Sequence, residues 1–411
     1  MAEYILAAAN GRNIPTEDKI FGISNRAKAM IAEKGKDAVV NATIGALLDD
    51  QGELMVLSSV DDTFSALEPE EYANYAPIGG TPEFRKAVIR AAFGSYVPKG
   101  AVQAVATPGG TGAIRNTIAN YSCLGDKVLT SDWHWSPYRT IAAEIGRSID
   151  TFPLFTADRK FNLQAFADAT ERLLNEQEHL VIILNTPAHN PTGYALSEED
   201  WNGVVEVLKK LTAPEKSVAL LIDVAYIDFA GDEEEYRTFL PLLEQLPVNV
   251  LPIMAYSMSK TFTLYGMRCG AMICMAKTEE IAEEFRRVCE FSARGTWSNG
   301  AKAGQSIIAR IFSDDKLLAR VTEERSQIRD MLLARGRAFE EEAAKVGLET
   351  VPFDAGFFIS IPCENPDEIS AKLEKEGIFL VPLEKGLRVS VASVSEERCR
   401  MIPAKIAEAM A

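Results

Sequence analysis

The sequence predicts an α/β protein with a mainly parallel sheet flanked by helices, joined to a smaller α+β domain. Between about residues 75 and 300, short apolar runs alternate with helical patterns, which is typical of a parallel sheet covered by helices on both faces. Beyond that region, a long charged amphipathic stretch runs from roughly Asp315 to Val346 and precedes two further apolar runs. This second order of elements is that of an α+β domain.

Seven apolar runs and one helical pattern predict where seven strands and one helix lie. The runs KVLT, LVIIL, VALLID, LPIMAYS and RCGAMIC, which begin at residues 127, 180, 218, 251 and 268, predict strands of the large sheet. The runs GFFISIP and GLRVSVA predict strands of the second domain, and PDEISAKLEKEG predicts a helix between them. We expect a large domain at residues 51–310, and a small domain formed by residues 311–411 together with an N-terminal arm, residues 1–50.

The composition is that of an ordinary globular chain, and its charge favours a small-molecule partner. The 411 residues are 47% hydrophobic and 25% charged, with a formal net charge of -16. So negative a chain lacks the basic surplus that nucleic acid or an anionic membrane requires. We expect no membrane span, no metal site and a cytoplasmic location. The cysteines are scattered and predict reduced core thiols: Cys123, Cys269, Cys274, Cys289, Cys363 and Cys399.

Lys260 follows the apolar run LPIMAYS at a predicted strand end. Burial there lowers the pKa of the ammonium group, as a lysine that forms a Schiff base requires. A surface loop lysine is the ordinary alternative. Ser257 and Arg268 flank Lys260 and can both meet a phosphate ester near it. Their spacing therefore favours the functional interpretation.

A glycine-rich turn supplies a second phosphate element. Gly109, Gly110, Thr111 and Gly112 precede a helical pattern, so the backbone can approach an anion at a helix N-terminus. By itself such a turn is more often only a turn. The sequence lacks both the lysine of a P-loop and the glycine spacing of a dinucleotide fold.

Polar and aromatic groups follow the other predicted strands. Asp223 ends VALLID, where a buried carboxylate can keep a pyridine nitrogen protonated, and Tyr226 can donate to a phenolate oxygen. The alternatives are a capping carboxylate and a buried core tyrosine. Trp135 either stacks on a flat ring or fills the core. The bond from Asn190 to Pro191 is a candidate for the cis form. Beyond it, the stretch from Ser197 to Asp200 predicts a helix start by a capping pattern.

Taken together and in order, these residues resemble the fold-type I aminotransferases that use pyridoxal phosphate, and among them the aspartate and aromatic amino acid aminotransferases. The resemblance rests on NYAPIGGTPEFRKA, GGTGAIR, HNPTG, DVAY, SMSK with LYGMRCG, and GLRVSVA, and covers about residues 41–392. It implies a seven-stranded sheet of fold type I, a transaminase activity, and amino acid and 2-oxo acid substrates.

The resemblance also implies roles for single residues. Lys260 holds the cofactor and moves the substrate proton, and Asp223 pairs with the ring nitrogen. Asn190 and Tyr226 bond the phenolic oxygen, while Trp135 stacks on the ring. The implied phosphate ligands are Gly110, Thr111, Ser257, Arg268 and, from a neighbouring subunit, Tyr75. A homodimer with shared active sites follows from that last contact.

Substrate choice depends on three further positions. Arg388 is implied to bind the α-carboxylate in a fork, and Arg294, in ARGTWSNG, to bind a distal carboxylate from the partner subunit. Gly45 fits a loop that closes over substrate, and Trp135 and Asn190 are expected to contact substrate too. A solvated arginine is the alternative for Arg294. Aspartate with 2-oxoglutarate is the leading substrate pair, and aromatic amino acids are the alternative donors.

The sequence departs from the family pattern at three positions. Asp132 and Tyr138 stand where the aspartate enzymes carry asparagine and histidine, and Gly109 replaces a small hydroxyl residue. Because that histidine supports the cofactor-bonding aspartate, we expect Tyr138 to tune Asp223 differently. Two rival functions remain: a β-lyase or decarboxylase with the same cofactor, and a non-catalytic regulator. The regulator requires an added DNA-binding domain, for which there is no room before residue 41.

Overall fold

The computed structural model describes Leu6, residues 18–232 and residues 234–411. The chain divides into two compact units. The small unit comprises Met1–Met55, Ala188–Ala195 and Gln327–Ala411, and the large unit comprises Val56–Pro187 and Leu196–Ser326. The arm expected at residues 1–50 lies partly outside the described residues. The domain boundaries expected from the sequence stay a prediction.

The described residues contain fifteen α-helices and five short 3-10 turns. The helices are α1 (Lys19–Lys34), α2 (Ser58–Ser65), α3 (Pro69–Ala73), α4 (Pro82–Phe93), α5 (Gly109–Asn120), α6 (Pro137–Glu144), α7 (Leu163–Glu176), α8 (Glu198–Leu211), α9 (Leu240–Leu243), α10 (Met258–Thr261), α11 (Glu279–Thr296), α12 (Lys302–Ser313), α13 (Asp315–Lys345), α14 (Pro366–Lys375) and α15 (Glu396–Met410). The 3-10 turns are Lys36–Ala38, Ile227–Phe229, Glu235–Arg237, Tyr265–Met267 and Val391–Ser393.

Twelve β-strands are found in the same described ranges. They are β1 (Val40–Asn41), β2 (Ala101–Thr107), β3 (Lys127–Ser131), β4 (Ser148–Phe152), β5 (His179–Asn185), β6 (Ser217–Asp223), β7 (Val250–Ser257), β8 (Gly270–Ala276), β9 (Phe358–Pro362), β10 (Ile378–Phe379), β11 (Val381–Leu383) and β12 (Gly386–Ser390). Each apolar run that the sequence pattern singled out corresponds to one of these strands.

The large unit is built on a seven-stranded sheet. Its strand order is β2-β8-β7-β6-β5-β3-β4, and β8 runs antiparallel to both of its neighbours while the other pairs are parallel. The predicted α/β class with a mainly parallel sheet is confirmed. The pattern does not predict β2 and β4, because β2 is rich in alanine and β4 is a partly exposed edge strand without a continuous apolar run.

The parallel strands bring their carboxyl ends to one edge of the sheet. In register, Asn185 at the end of β5 lies opposite Asp223 at the end of β6, and Asp223 lies opposite Ala255 in β7. Every residue of β7 is buried, which its apolar composition permits because both faces of the strand are covered. Polar residues that follow these strands are therefore held at a rigid edge of the sheet.

Local sequence sets the helix starts near that edge. In α8, Ser197 accepts a hydrogen bond from the backbone N–H of Asp200, whose carboxylate in turn accepts one from the N–H of Ser197. This capping box confirms the helix start that the sequence predicts. Helix α5 begins at Gly109, which has a φ of +69°. A residue with a side chain is strained in that backbone conformation, so glycine suits the turn from β2 into α5.

The small unit has its own core and two small sheets. Strands β11, β12 and β9 form an antiparallel sheet in that order, and β1 pairs with β10 in parallel. Helices α14 and α15 pack against each other, and the apolar residues of the sheets and helices form one buried cluster. The predicted helix between GFFISIP and GLRVSVA is α14, and the amphipathic stretch after Asp315 is α13. This α+β organisation agrees with the prediction.

Two smaller expectations are wrong. Among the described residues, the cis peptide bond is Thr186–Pro187 rather than Asn190–Pro191, because the surrounding structure selects one isomer at each proline. All six cysteines are free, but Cys123 is exposed and so is not a core thiol. Its backbone N–H donates to Asp126 Oδ2 at 2.7 Å in the turn after α5, which holds this residue at the surface. No helix in the described part of the chain is long and apolar enough to cross a membrane.

Candidate active site

Lys260 lies in the short helix α10, directly after β7, and is partly buried. Its Nζ atom is 5.7 Å from the centre of the Tyr226 ring and 5.8 Å from that of Tyr265. Burial lowers the pKa of Lys260 to about 8, while the charge of Asp223 raises the pKa and that of Arg268 lowers it further. The amine is therefore much more readily neutral than an ordinary lysine, as the sequence predicts.

Asp223 is 5% exposed at the end of β6. Tyr138 donates to its Oδ2 atom at 2.6 Å, and the backbone N–H of Ala225 donates to Oδ1 at 3.3 Å. Burial raises the pKa of Asp223 overall, and Tyr138, the Ala225 N–H and the charge of Lys260 offset only part of that shift. Burial and the Asp223 charge raise the pKa of Tyr138 well above its ordinary value, so its hydroxyl remains a donor.

Tyr138 itself is held by aromatic neighbours. It is fully buried in α6, with Trp135 packed edge to face at 5.5 Å and His134 stacked at 6.3 Å between ring centres. On the other side of Asp223, the Asn185 side-chain amide donates to the aspartate carbonyl oxygen at 2.7 Å. Packing and hydrogen bonds thus fix both the backbone and the carboxylate of Asp223. The hydrogen bond from Tyr138 to the Asp223 carboxylate agrees with the expectation that Tyr138 acts on Asp223.

Gly109, Gly110, Ser257 and Arg268 come together beside the N-terminus of α5. Arg268 donates through Nη1 to Ser259 Oγ at 3.1 Å and to the Tyr265 carbonyl oxygen at 3.0 Å. A Cβ atom at Gly110 would lie 3.5 Å from Ser257 Cβ. The first backbone N–H groups of α5, including that of Thr111, have no partner within the helix ladder. A guanidinium, a hydroxyl and free N–H groups at one helix start suit a phosphate ester.

The Arg268 guanidinium lies close to Gly109 in the turn. A Cβ atom at this position would lie 2.8 Å from Arg268 Nη2, closer than real Cβ contacts permit. A residue with a side chain at this position would require the end of the Arg268 side chain to shift and would be strained at the φ of +69°. Arg268 has a φ of +49°, in the left-handed region, so its side chain is directed by an uncommon backbone conformation. The departure at Gly109 is thus compatible with a phosphate cradle.

The small unit holds the residues expected at the substrate carboxylate. Arg388 is 4% exposed in β12, and its guanidinium lies 4.3 Å from the centre of the Phe358 ring. Its Nη1 atom donates to Asn190 Oδ1 at 3.2 Å, and its Nη2 atom donates to the Thr43 carbonyl oxygen at 2.9 Å. Gly45 adjoins the same ring, since a Cβ atom there would lie 3.0 Å from Phe358 Cζ. The structure therefore brings Arg388, Asn190 and Gly45 together around Phe358.

Two predicted residues lie away from these clusters in the single chain. Tyr75 is 86% exposed. Arg294 is exposed near the end of α11, where its Nη1 atom donates to Ser298 Oγ at 2.7 Å. Their expected roles require a second subunit and stay predictions.

Some contacting residues were not singled out from the sequence. Tyr265 borders Lys260, Asn185 holds Asp223, and Phe358 supports Arg388. Each lies within or beside a motif that the sequence does show, LYGMRCG, LVIIL or GFFISIP. A tyrosine, an asparagine or a phenylalanine in such a motif does not by itself indicate a role, so the contacts of these residues in the folded chain reveal what they do.

Comparison with known proteins identifies the family. Residues 37–406 match the model of aminotransferases of class I and II. The chain is 29% identical to an aromatic-amino-acid aminotransferase of Pseudomonas aeruginosa over 381 residues, covering 90% of this chain and 91% of the relative. It is 28% identical to an aspartate aminotransferase of Salmonella typhi over 396 residues, covering 92% and 94%.

A solved structure shows the same fold. The aminotransferase of Anaerococcus prevotii is 38% identical, with a TM-score of 0.96 over 99% of this chain and 100% of that one. The expected family, fold and cofactor class are thereby confirmed. The chain belongs to the class I and II aminotransferases and is a pyridoxal-phosphate-dependent transaminase of the aspartate and aromatic amino acid type.

Proposed function

We propose that this protein transfers the amino group of aspartate to 2-oxoglutarate and accepts aromatic amino acids as second donors. The observation that carries the proposal is the amine of Lys260, with its pKa lowered to about 8, at the same sheet edge as the buried carboxylate of Asp223. The relatives that bear the names of aspartate and aromatic-amino-acid aminotransferases support both classes of donor.

Pyridoxal phosphate, when bound, supplies an aldehyde for a primary amine and a ring that accepts the electron pair released at the substrate α-carbon. Lys260 is the amine in this chain that would hold it covalently. When it is not bonded to the cofactor, the neutral Nζ atom of Lys260 would take the proton from the substrate α-carbon and deliver it to the cofactor. A pKa of about 8 suits both directions, because the amine is neither firmly protonated nor too weak a base.

Asp223 would hold a proton on the ring nitrogen. An ionised carboxylate favours the protonated ring, and Tyr138, which donates to Oδ2 at 2.6 Å, favours the ionised form of Asp223 against the opposing effect of burial. Gly110, Thr111, Ser257 and Arg268 would hold the phosphate. Trp135 and Tyr226 would contact the ring, Trp135 by stacking and Tyr226 by a bond to the phenolic oxygen.

Arg388 would bind the substrate α-carboxylate, with Asn190 beside it. Its two terminal nitrogens already point at oxygen acceptors, Asn190 Oδ1 and the Thr43 carbonyl, and the Phe358 ring supports the plane of the guanidinium. Such a fixed fork matches a carboxylate in a way that lysine does not. Gly45 would let the adjoining loop approach the bound substrate.

Arg294 of one subunit would reach the active site of the other subunit and select dicarboxylate substrates there. A residue that contributes to the active site of another subunit must be exposed in its own chain, and Arg294 is. Tyr75, which is proposed to contact the cofactor phosphate of the other subunit, is exposed as well. The proposal therefore includes a homodimer with shared active sites.

Replacing Lys260 tests the proposed function directly. The wild-type protein is expected to be yellow and to form glutamate and oxaloacetate from aspartate and 2-oxoglutarate. Lys260→Ala is expected to lose both the absorbance of the covalently held cofactor and the activity, because it removes the amine that holds the cofactor. Lys277→Ala, an exposed lysine just after β8, is the matched control. An unchanged spectrum in Lys260→Ala, or alanine or pyruvate with ammonia as wild-type products, contradicts the proposal.

The pH dependence of Lys260 gives a second prediction. Burial disfavours the ammonium, so the amine becomes neutral as pH rises through about 8, whereas an ordinary lysine does so near 10.5. In the cofactor-free protein, acetylation of Lys260 by a small amine reagent, followed by peptide mass spectrometry, should reach its half-maximal rate near pH 8. The denatured chain serves as control. A half-maximal rate near 10.5 in the folded protein contradicts the assignment.

Tyr138 should act through Asp223. Tyr138→Phe removes the donor from a buried carboxylate, which raises the pKa of Asp223 and moves the acid limb of the kcat/KM profile to higher pH. We expect a loss in kcat of roughly tenfold or more, since a charge-assisted hydrogen bond contributes about 1.5–3 kcal/mol. Tyr138→His keeps a donor and should retain most of the activity. Tyr121→Phe, another tyrosine beside the core, is the control. An unmoved acid limb in Tyr138→Phe rules this role out.

Arg294 should discriminate between donors. Arg294→Ala is expected to lower kcat/KM for aspartate by roughly tenfold or more, because a charge-assisted contact is lost, while aromatic donors are less affected. Arg287→Ala, an exposed arginine on the same helix α11, should leave both substrates unchanged. Equal losses for aspartate and for an aromatic donor in Arg294→Ala contradict the selectivity role.

A further inference from the structure

The backbone of residues 41–44 is bonded along the strand that carries Arg388. Four successive carbonyl oxygens of this segment accept hydrogen bonds from β12 or from the 3-10 turn that follows it. The bonds run from Ser393 Oγ to Asn41 at 3.1 Å, from the Ser390 N–H to Ala42 at 2.9 Å, from Arg388 Nη2 to Thr43 at 2.9 Å and from Ser390 Oγ to Ile44 at 2.6 Å. The segment and the strand therefore form one hydrogen-bonded unit directly before Gly45.

The bond between Arg388 and Thr43 joins a charged side chain to a buried backbone group. Thr43 is fully buried, so its carbonyl oxygen needs a donor within the protein. A charged donor makes a stronger hydrogen bond than a neutral one. Asn190 Oδ1 accepts from the other terminal nitrogen at 3.2 Å, and the Phe358 ring centre lies 4.3 Å from the guanidinium. Thr43 thus restrains one end of a guanidinium whose other end and face are restrained by Asn190 and Phe358.

A local turn restricts the backbone of Thr43. The Oδ1 atom of Asn41 accepts a hydrogen bond from the Thr43 hydroxyl at 2.6 Å and another from the Thr43 backbone N–H at 3.3 Å. Asparagine side chains commonly bond the backbone two residues further on and fix a turn in this way. The hydroxyl bonds Asn41 whereas the carbonyl bonds Arg388, so the Thr43 side chain acts on Arg388 through the backbone.

We propose that Thr43 is a positioning residue for Arg388, and that its hydroxyl bond to Asn41 sets the affinity for the α-carboxylate that the substrates share. This inference rests on the proposed function, in which Arg388 binds that carboxylate. A guanidinium binds a carboxylate through two parallel N–H groups, so a small rotation of its plane weakens both contacts. An acceptor that holds Nη2 in place therefore strengthens the binding of every substrate, whereas Arg294 is proposed to favour dicarboxylates alone.

Binding of unreactive carboxylates to the holoenzyme tests the proposal. Succinate and 3-phenylpropionate carry a carboxylate but no amino group, so their dissociation constants do not depend on turnover. Thr43→Val removes the hydroxyl and should weaken the binding of both by about three- to tenfold, as expected for the loss of one hydrogen bond. Thr43→Ser keeps the hydroxyl and should bind both like wild type. Thr170→Val is the matched control, since Thr170 is fully buried in α7 and bonds the Phe166 carbonyl oxygen.

Asn41→Ala gives a second test, which holds even if Thr43→Val does not fold, because Asn41 is only partly buried. It should weaken the binding of both carboxylates by a similar factor. The double variant should bind no more weakly than either single variant, since both substitutions remove the same hydrogen bond. In the transamination assay these variants should raise KM for aspartate and for an aromatic donor by the same factor, and should change kcat less.

Three results overturn the proposal: wild-type affinity in Thr43→Val or Asn41→Ala, a loss confined to succinate, and additive losses in the double variant. Arg388→Met separates this inference from the proposed function. If Arg388→Met weakens binding while Thr43→Val and Asn41→Ala do not, the positioning role alone is wrong. If Arg388→Met binds both carboxylates like wild type, the proposed role of Arg388 and this inference fail together.

Discussion

The proposed chemistry of this protein depends on a buried carboxylate at the end of a buried strand. Asp223 cannot be solvated there, so its charge must be stabilised by the donors around it, Tyr138 and the Ala225 backbone N–H, and by the nearby Lys260. The same burial lowers the pKa of Lys260. Burial thus shifts both groups towards their neutral forms: this suits a proton-transferring amine at Lys260, and at Asp223 it is opposed by Tyr138, the Ala225 N–H and Lys260.

The sheet explains why these groups meet. Strands β5, β6 and β7 are parallel, so Asn185, Asp223 and Ser257 end at a common edge even though about 70 residues separate the first from the last. Lys260 lies in α10, directly after β7, and Arg268 lies just before β8. The rigid scaffold holds the residues, and the short elements α10 and α5 orient them.

Two of the three departures from the family pattern lie beside proposed cofactor residues. Tyr138 donates directly to Asp223, so a phenol donor occupies the place of an imidazole. At Gly109, a Cβ atom would lie 2.8 Å from Arg268 Nη2, so a larger residue there would require the end of that side chain to shift. Both departures are compatible with the proposed cofactor site.

The sequence by itself determined five of the seven strands of the large sheet, the α/β class and the family, and it singled out Lys260 with Ser257 and Arg268. These features are local: apolar runs, glycine turns and motif spacing are visible in neighbouring letters. Only the tertiary structure decided that Tyr138 donates to Asp223, that Phe358 supports Arg388, that Thr186–Pro187 is the cis bond and that Cys123 is exposed. Those outcomes depend on contacts between distant segments and on solvent exposure, which no local pattern encodes.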